Sequence, residues 1–155
     1  MIEYPIGTSE QSLVLTDPVV DHLRRHRQLR WYQGEAGGQL FAHFNSNRIL
    51  VEEATGPRRT VRRTRTSYVP DRRAEQVEIL DRHARGLHYV GDWHTHPEQY
   101  SCPSSRDAWS IADCVAKSTH QLNGFVLVVV GQAEPPAGLH VSVHDGNTSF
   151  AIRSV

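Results

Sequence analysis

The stretch from Leu87 to Asp107 limits this chain more than any other. It opens Leu87-His88-Tyr89-Val90-Gly91-Asp92, short, largely apolar and strand-like, and continues Trp93-His94-Thr95-His96-Pro97. Residues two apart on a strand point to the same face, so His94 and His96 present both imidazoles on one side. Pro97 lacks an N–H and stops strand pairing there. After a polar loop, Ser104 opens an apolar-periodic run that reads as a helix, and Asp107, three residues on, shares its face. Two imidazoles from a strand end and one carboxylate from the next helix make a three-ligand set. Such a set suits zinc with one position left open for water, the catalytic rather than the structural pattern. Neither half suffices alone. His-x-His arises readily in a chain with 10 histidines, and Ser-x-x-Asp is also the mark of a helix capping box. The two in succession, with seven residues between His96 and Ser104, point to a metal.

A chain of 155 residues is long enough to bury a real core, and residues 1–155 read as a single domain. Lys plus Arg and Asp plus Glu number 17 each, so net charge suggests neither a nucleic-acid nor a membrane partner. There is no apolar run of about 18 residues, and no basic N-terminal segment leads into a hydrophobic one; a cytoplasmic location is expected. Two cysteines make no disulfide framework, which agrees with a reducing compartment. Cys114 reads as a small buried hydrophobe in the helix. Cys102, in the loop before Ser104, is placed like a fourth ligand, but an ordinary loop residue is the simpler reading.

Residues 1–15 suggest an N-terminal strand or arm centred on Leu13, Val14 and Leu15. Thr16-Asp17-Pro18 signals a helix start, with Val20, Leu23 and Trp31 as its buried stripe and Arg24, Arg25, Arg27 and Arg30 as a solvated face. Glu35 stands just before Gly37-Gly38, where the chain turns strand-like through Leu40, Phe41 and Phe44; glycines there permit close backbone approach. Glu52 and Glu53 sit in the next strand. Arg58 to Thr66 reads as an exposed, mobile loop. No aromatic residue interleaves with its arginines to stack bases, so contact with an acidic protein partner is its functional version. Pro70-Asp71 begins a helix with Val77, Leu80, Ala84 and Leu87 on one face and Gly86 at its end. Ala108, Ile111 and Val115 mark a helix ending near Asn123-Gly124. Phe125 to Val130 suits a fully buried strand, and Leu139 to Val143 alternates like a closing one. Strands with helices before, among and after them make a mixed α/β or α+β domain.

These motifs resemble the JAMM (MPN-plus) zinc metalloproteases, whose signature is His-x-His, seven residues, Ser-x-x-Asp, with a glutamate well upstream. His94, His96, Ser104 and Asp107 fill the downstream positions, and the resemblance covers roughly residues 15 to 145. It implies a curved, mostly antiparallel sheet flanked by helices, and one zinc per chain on His94, His96 and Asp107. It also implies a catalytic glutamate in a Glu-x-Gly-Gly-like context after the first helix. Glu35 matches that position better than Glu52 or Glu53. In such a site zinc lowers the pKa of water, and the glutamate takes a proton and later passes it to the leaving amine. The Ser104 hydroxyl donates to the developing oxyanion, and Asp92 or Glu98 would orient an imidazole.

The resemblance further implies substrates cut after the C-terminal tail of ubiquitin or a ubiquitin-like protein. The short chain and the wording of Val90 to Pro97 and Ser67 to Asp71 resemble stand-alone bacterial members. Some of those are encoded with E1/E2-like conjugation enzymes in anti-phage CBASS operons, where they release a cyclase from its conjugates. Two rival roles exist among relatives. RadC-like proteins share the signature and are associated with DNA, which a near-neutral chain argues against. Non-catalytic MPN scaffolds have lost ligand positions that are all filled in this chain.

Overall fold

The chain opens with a hairpin rather than a single arm: β1 (Ile2–Pro5) pairs antiparallel with β2 (Ser12–Leu15). This computed structural model describes residues 1–59, 61–117 and 124–155, with the backbone alone for 114–117. Helix α1 (Asp17–Arg25) starts where Thr16 and Pro18 indicate, but the Thr16 hydroxyl donates to Val51 O at 2.9 Å instead of capping. Val19, Val20 and Leu23 form its buried stripe; Trp31 lies beyond the helix, in solvent. Strands β3 (Gly37–Asn45), β4 (Arg48–Ala54), β5 (Arg62–Thr64) and β6 (Ser67–Val69) follow, then α2 (Arg72–Ala84), β7 (His88–Thr95), α3 (Ser105–Lys117), β8 (Phe125–Val130), β9 (Leu139–His144) and β10 (Ser149–Ile152).

Eight strands form one curved sheet in the order β1-β2-β4-β3-β7-β8-β9-β10. Only the β2–β4 and β7–β8 pairs in it are parallel, and each is bridged by a connection containing a helix, as parallel pairing requires. The mixture of strands and helices is the class expected from the sequence pattern, and the mostly antiparallel sheet with flanking helices is the architecture the resemblance implies. The core on the α1 face includes Leu13, Leu23, Leu40, Trp93 and Val128, and a second cluster of Ile111, Phe125, Leu127 and Val129 lies under α3. Strand β8, covered on both faces, is buried at every residue, which explains its unbroken apolar run.

Two expectations change. The stretch Arg58 to Thr66 is not a free loop. Its second half belongs to the β5–β6 hairpin, Thr64 O accepts from Glu35 N at 2.7 Å, and Arg58 is turned inward to pair with Glu78. Helix α2 is rotated from its apolar reading: Val77 and Leu80 are 66% and 63% exposed, while Glu75 is buried. The helix lies over charged neighbours, so its inward face is the one that finds ion-pair partners, Glu78 for Arg58 and Arg82 for Glu53. Leu87 is nevertheless buried, and Gly86 ends the helix at a φ of 83°. Of the four arginines expected on the solvated face, Arg24 and Arg27 pair at the surface with Glu134, which is 63% exposed. The end of α3 near Asn123 and the side chains of Cys114 and Val115 fall outside the described residues. No described helix is long and apolar enough to cross a membrane.

Candidate metal centre

His94 lies near the C-terminal end of β7, opposite Gly37 of β3 and Val129 of β8, so the sheet fixes its backbone from both sides. His96 follows just past the strand, its N–H donating to Val130 O at 3.0 Å. Asp107 comes from the first turn of α3. Ser104 N donates to Asp107 Oδ2 at 2.7 Å, and Asp107 N donates to Ser104 Oγ at 3.1 Å. The capping box is therefore real, and it also aims the carboxylate. Oδ2 stands 3.1 Å from His94 Nε2 and 3.2 Å from His96 Nε2, and the two ring nitrogens are 3.2 Å apart.

That triangle suits a cation. If both imidazoles donated to Asp107, their N–H groups would also face one another. Ligand atoms at the 2.0–2.1 Å bond lengths of tetrahedral zinc stand about 3.3 Å apart, close to these separations. Among the described residues this is the one group of three such side chains whose ligand atoms lie within 4.8 Å of one another. The hydrogen bond to Asp107 raises the pKa of His96 against the effect of burial. Burial would raise Asp107, but the hydrogen bonds from both imidazoles outweigh it and hold the carboxyl below the usual range.

Glu35 is only 6% exposed, and its Oε1 lies 4.0 Å from His96 Nε2. Burial raises its pKa, opposed by the attraction of His94 and His96. Its place depends on the two glycines that follow. A Cβ on Gly38 would lie 1.7 Å from Thr55 O, and one on Gly37 would lie 2.8 Å from Trp93 O. The close approach expected there is present. Ala36 reinforces it, its N–H donating to Thr95 Oγ1 at 2.9 Å.

The competing glutamates are elsewhere: Glu52 pairs with His43, and Glu53 with Arg82 and Arg85. Cys102 is exposed and outside the three-ligand group. Asp92 accepts from the Tyr89 hydroxyl at 2.9 Å, whereas Glu98 comes within 3.9 Å of His96 Nδ1, too far for a hydrogen bond. The site opens into a cleft of about 410 Å³ between the β5–β6 hairpin and the start of α3. Residues to which the sequence reading assigned no role in the site also line it, among them Tyr68, whose hydroxyl donates to Gly37 O at 2.9 Å, Arg106 and Trp109. Trp109 is an exposed aromatic on a helix face, and nothing in a hydrophobic pattern separates that from a core residue.

Residues 16–143 match the family model of prokaryotic homologs of the JAB domain. A probable metalloprotease from Sinorhizobium fredii is 36% identical over 92 residues, which are 56% of this chain and 53% of that protein. A CD-NTase/cGAS isopeptidase from Enterobacter hormaechei is 32% identical, over 67% of this chain and 58% of the relative. One from Vibrio cholerae is 28% identical, over 81% of this chain and 80% of the relative. The match thus spans about half the length of the Sinorhizobium protein. Among solved structures, a protein from Desulfitobacterium hafniense shares the fold with a TM-score of 0.63 at 16% identity, over 90% of this chain and 88% of that one.

Proposed function

This chain belongs to the family of prokaryotic homologs of the JAB domain, and from that premise we propose that it is a zinc-dependent isopeptidase or peptidase. In this reading residues 1–155 work as one catalytic domain. The bond cut follows the C-terminal tail of a ubiquitin-like protein joined to a target. The relatives named CD-NTase/cGAS isopeptidases suggest a CD-NTase as the released protein, conjugated by E1/E2-like enzymes in an anti-phage operon.

The observation that carries the reading is the convergence of His94, His96 and Asp107 at 3.1–3.2 Å with Glu35 beside them in one cleft. His94, His96 and Asp107 would hold the zinc, which supplies a Lewis acid and brings the pKa of water toward ~7. Glu35 takes the proton from the attacking water and delivers it to the departing amine. A carboxylate whose pKa is raised by burial accepts that proton more readily near neutral pH than a solvated one. Ser104 Oγ already accepts from Asp107 N, so its own O–H is left to donate to the substrate carbonyl oxygen as charge builds there. The hairpin wall, Thr66 to Pro70, and the α3 wall with Trp109 hold the tail extended between them.

Glu35→Gln tests this directly. The change keeps the size of the side chain and touches no ligand, so the variant should retain zinc and fold normally while cleavage of a ubiquitin-like protein–lysine conjugate falls by roughly 10²–10⁴. Unchanged cleavage by the zinc-loaded variant would remove Glu35 from the mechanism.

A further inference from the structure

Overall neutrality hides an uneven distribution of charge. Residues 22–34 carry four arginines and residues 54–70 carry five, and neither segment contains an aspartate or glutamate. The fold brings the two together. Gln28 Nε2 donates to Arg65 O at 2.9 Å, Arg65 Nη1 donates to Arg30 O at 3.0 Å, and Glu35 N to Thr64 O at 2.7 Å. Arg24 and Arg27 are engaged by Glu134, and Arg58 by Glu78. Arg30, Arg62, Arg63 and Arg65 are exposed and have no carboxylate partner among the described residues.

On the same ridge Trp31 is 81% and Tyr32 69% exposed, their rings edge to face at 5.9 Å, with Leu29 beside them. The turn that displays them is fixed. Gln33 N donates to Arg30 O at 3.1 Å, Arg30 N donates to Gln33 Oε1 at 2.7 Å, and buried Gln28 donates to Gln33 O at 3.1 Å. Large aromatics on a rigid support lose little freedom when covered, and Trp, Tyr and Arg are the residues that dominate protein interfaces. The ridge also leads into the cleft, since Glu35 follows this turn directly and Thr66 and Ser67 line the cavity.

We propose that this ridge, Leu29 to Tyr32 with Arg62 to Arg65, docks an acidic, apolar-studded segment of the protein whose bond enters the neighbouring cleft. Guanidinium groups without a carboxylate partner call for one, and the aromatic pair calls for apolar side chains among the acids. A nucleic acid fits less well. The arginines are grouped on one short hairpin and the neighbouring turn, Arg62 and Arg63 on the three-residue β5, Arg65 in the turn after it and Arg30 in the loop after α1, rather than along a groove that tracks a backbone, and the edge-to-face pair covers a ring face that bases would need. The inference rests on the isopeptidase reading only for the identity of the docked protein.

The test uses the full chain and a fluorescein-labelled synthetic peptide of about 12 residues alternating Asp or Glu with Leu or Phe, followed by anisotropy. Wild type should bind it in the micromolar range, more weakly as salt rises. Trp31→Ala and Arg30→Glu, both at exposed positions, should each weaken binding about tenfold or more. Glu35→Gln should bind like wild type, so docking is read independently of cleavage. A version of the peptide with Lys in place of the acids should not bind. Equal binding by all the variants, or binding by none, overturns the proposal. So does tighter binding of a 20-nucleotide oligo-dT through Trp31 and Arg30, which would make the ridge a nucleic-acid surface.

Discussion

Two groups of charged side chains flank β7, and they are wired in opposite ways. Beneath α2 the charges are matched: Arg58 with Glu78, Arg72 with Glu75 at 3.0 Å, and Glu53 with Arg82 at 3.0 Å and Arg85 at 3.1 Å. At the start of α3, His94, His96 and Asp107 turn their donor atoms on one another with Glu35 alongside, and no Arg or Lys is paired with either carboxylate among the described residues. Buried charge that serves packing is closed by a partner within the chain. Buried charge that serves chemistry leaves its donor atoms open to something from outside.

The largest effect should come from breaking the open group. Asp107→Ala leaves two imidazoles, too few for a hydrolytic zinc site, so zinc content by elemental analysis should fall to near zero and conjugate cleavage by more than about 10⁴. The variant should also melt lower, because Asp107 closes the capping box with Ser104.

Breaking the closed group should reverse the pattern. Glu78→Ala leaves the guanidinium of Arg58 largely buried, with Thr55 Oγ1 as its remaining contact at 3.4 Å and with Nε and Nη1 already unpaired. Stability in denaturant should drop by about 2 kcal/mol, less than for a fully buried pair, while kcat of the folded protein stays near wild type. Loss of zinc from this variant would show that the two groups are not separable.

A smaller effect sharpens the comparison through pH. Burial, reinforced by Asp92, pushes Glu75 up to about 7 against the pull of Arg72. A raised carboxyl contributes stability that is present below its unfolded value near 4.5 and is lost as pH rises through about 7. Glu75→Gln should therefore gain on wild type between pH 5 and pH 8 in thermal melts, by on the order of 2 kcal/mol at most. A constant difference across that range would mean Glu75 is not strained by burial. Smallest of all, Cys102→Ser should change neither zinc content nor rate, since the thiol is exposed and outside the ligand group.

How far the sequence reveals this arrangement differs between the same two regions. The open group was legible because its chemistry demands fixed residue types at fixed spacing, and β7, the loop and α3 follow one another in the chain. Glu35 stood out only through the resemblance, by its Glu-x-Gly-Gly-like context; the glycines by themselves record the close passage of β3 past Thr55 and Trp93. The closed group was not legible. Val77, Leu80, Ala84 and Leu87 make a plausible buried stripe, yet α2 turns Glu75 inward, because ion pairs with partners distant in sequence outweigh a weak apolar face. The pairing of β1 with β2 and the strand β10 escaped for a similar reason. Four-residue strands carry too little alternation to stand out. Nor does linear order reveal that Trp31 and Tyr32 come to lie beside the Arg-rich hairpin; hydrogen bonds from Gln28 and Arg65 bring them together.

The central claim is that the open group awaits a metal, and metal content tests it most directly. Protein stripped with a chelator, dialysed and titrated with zinc should take up about one ion per chain in wild type and in Glu35→Gln, and none in Asp107→Ala. A wild-type protein that stays metal-free at excess zinc, with the fold intact, would contradict the account.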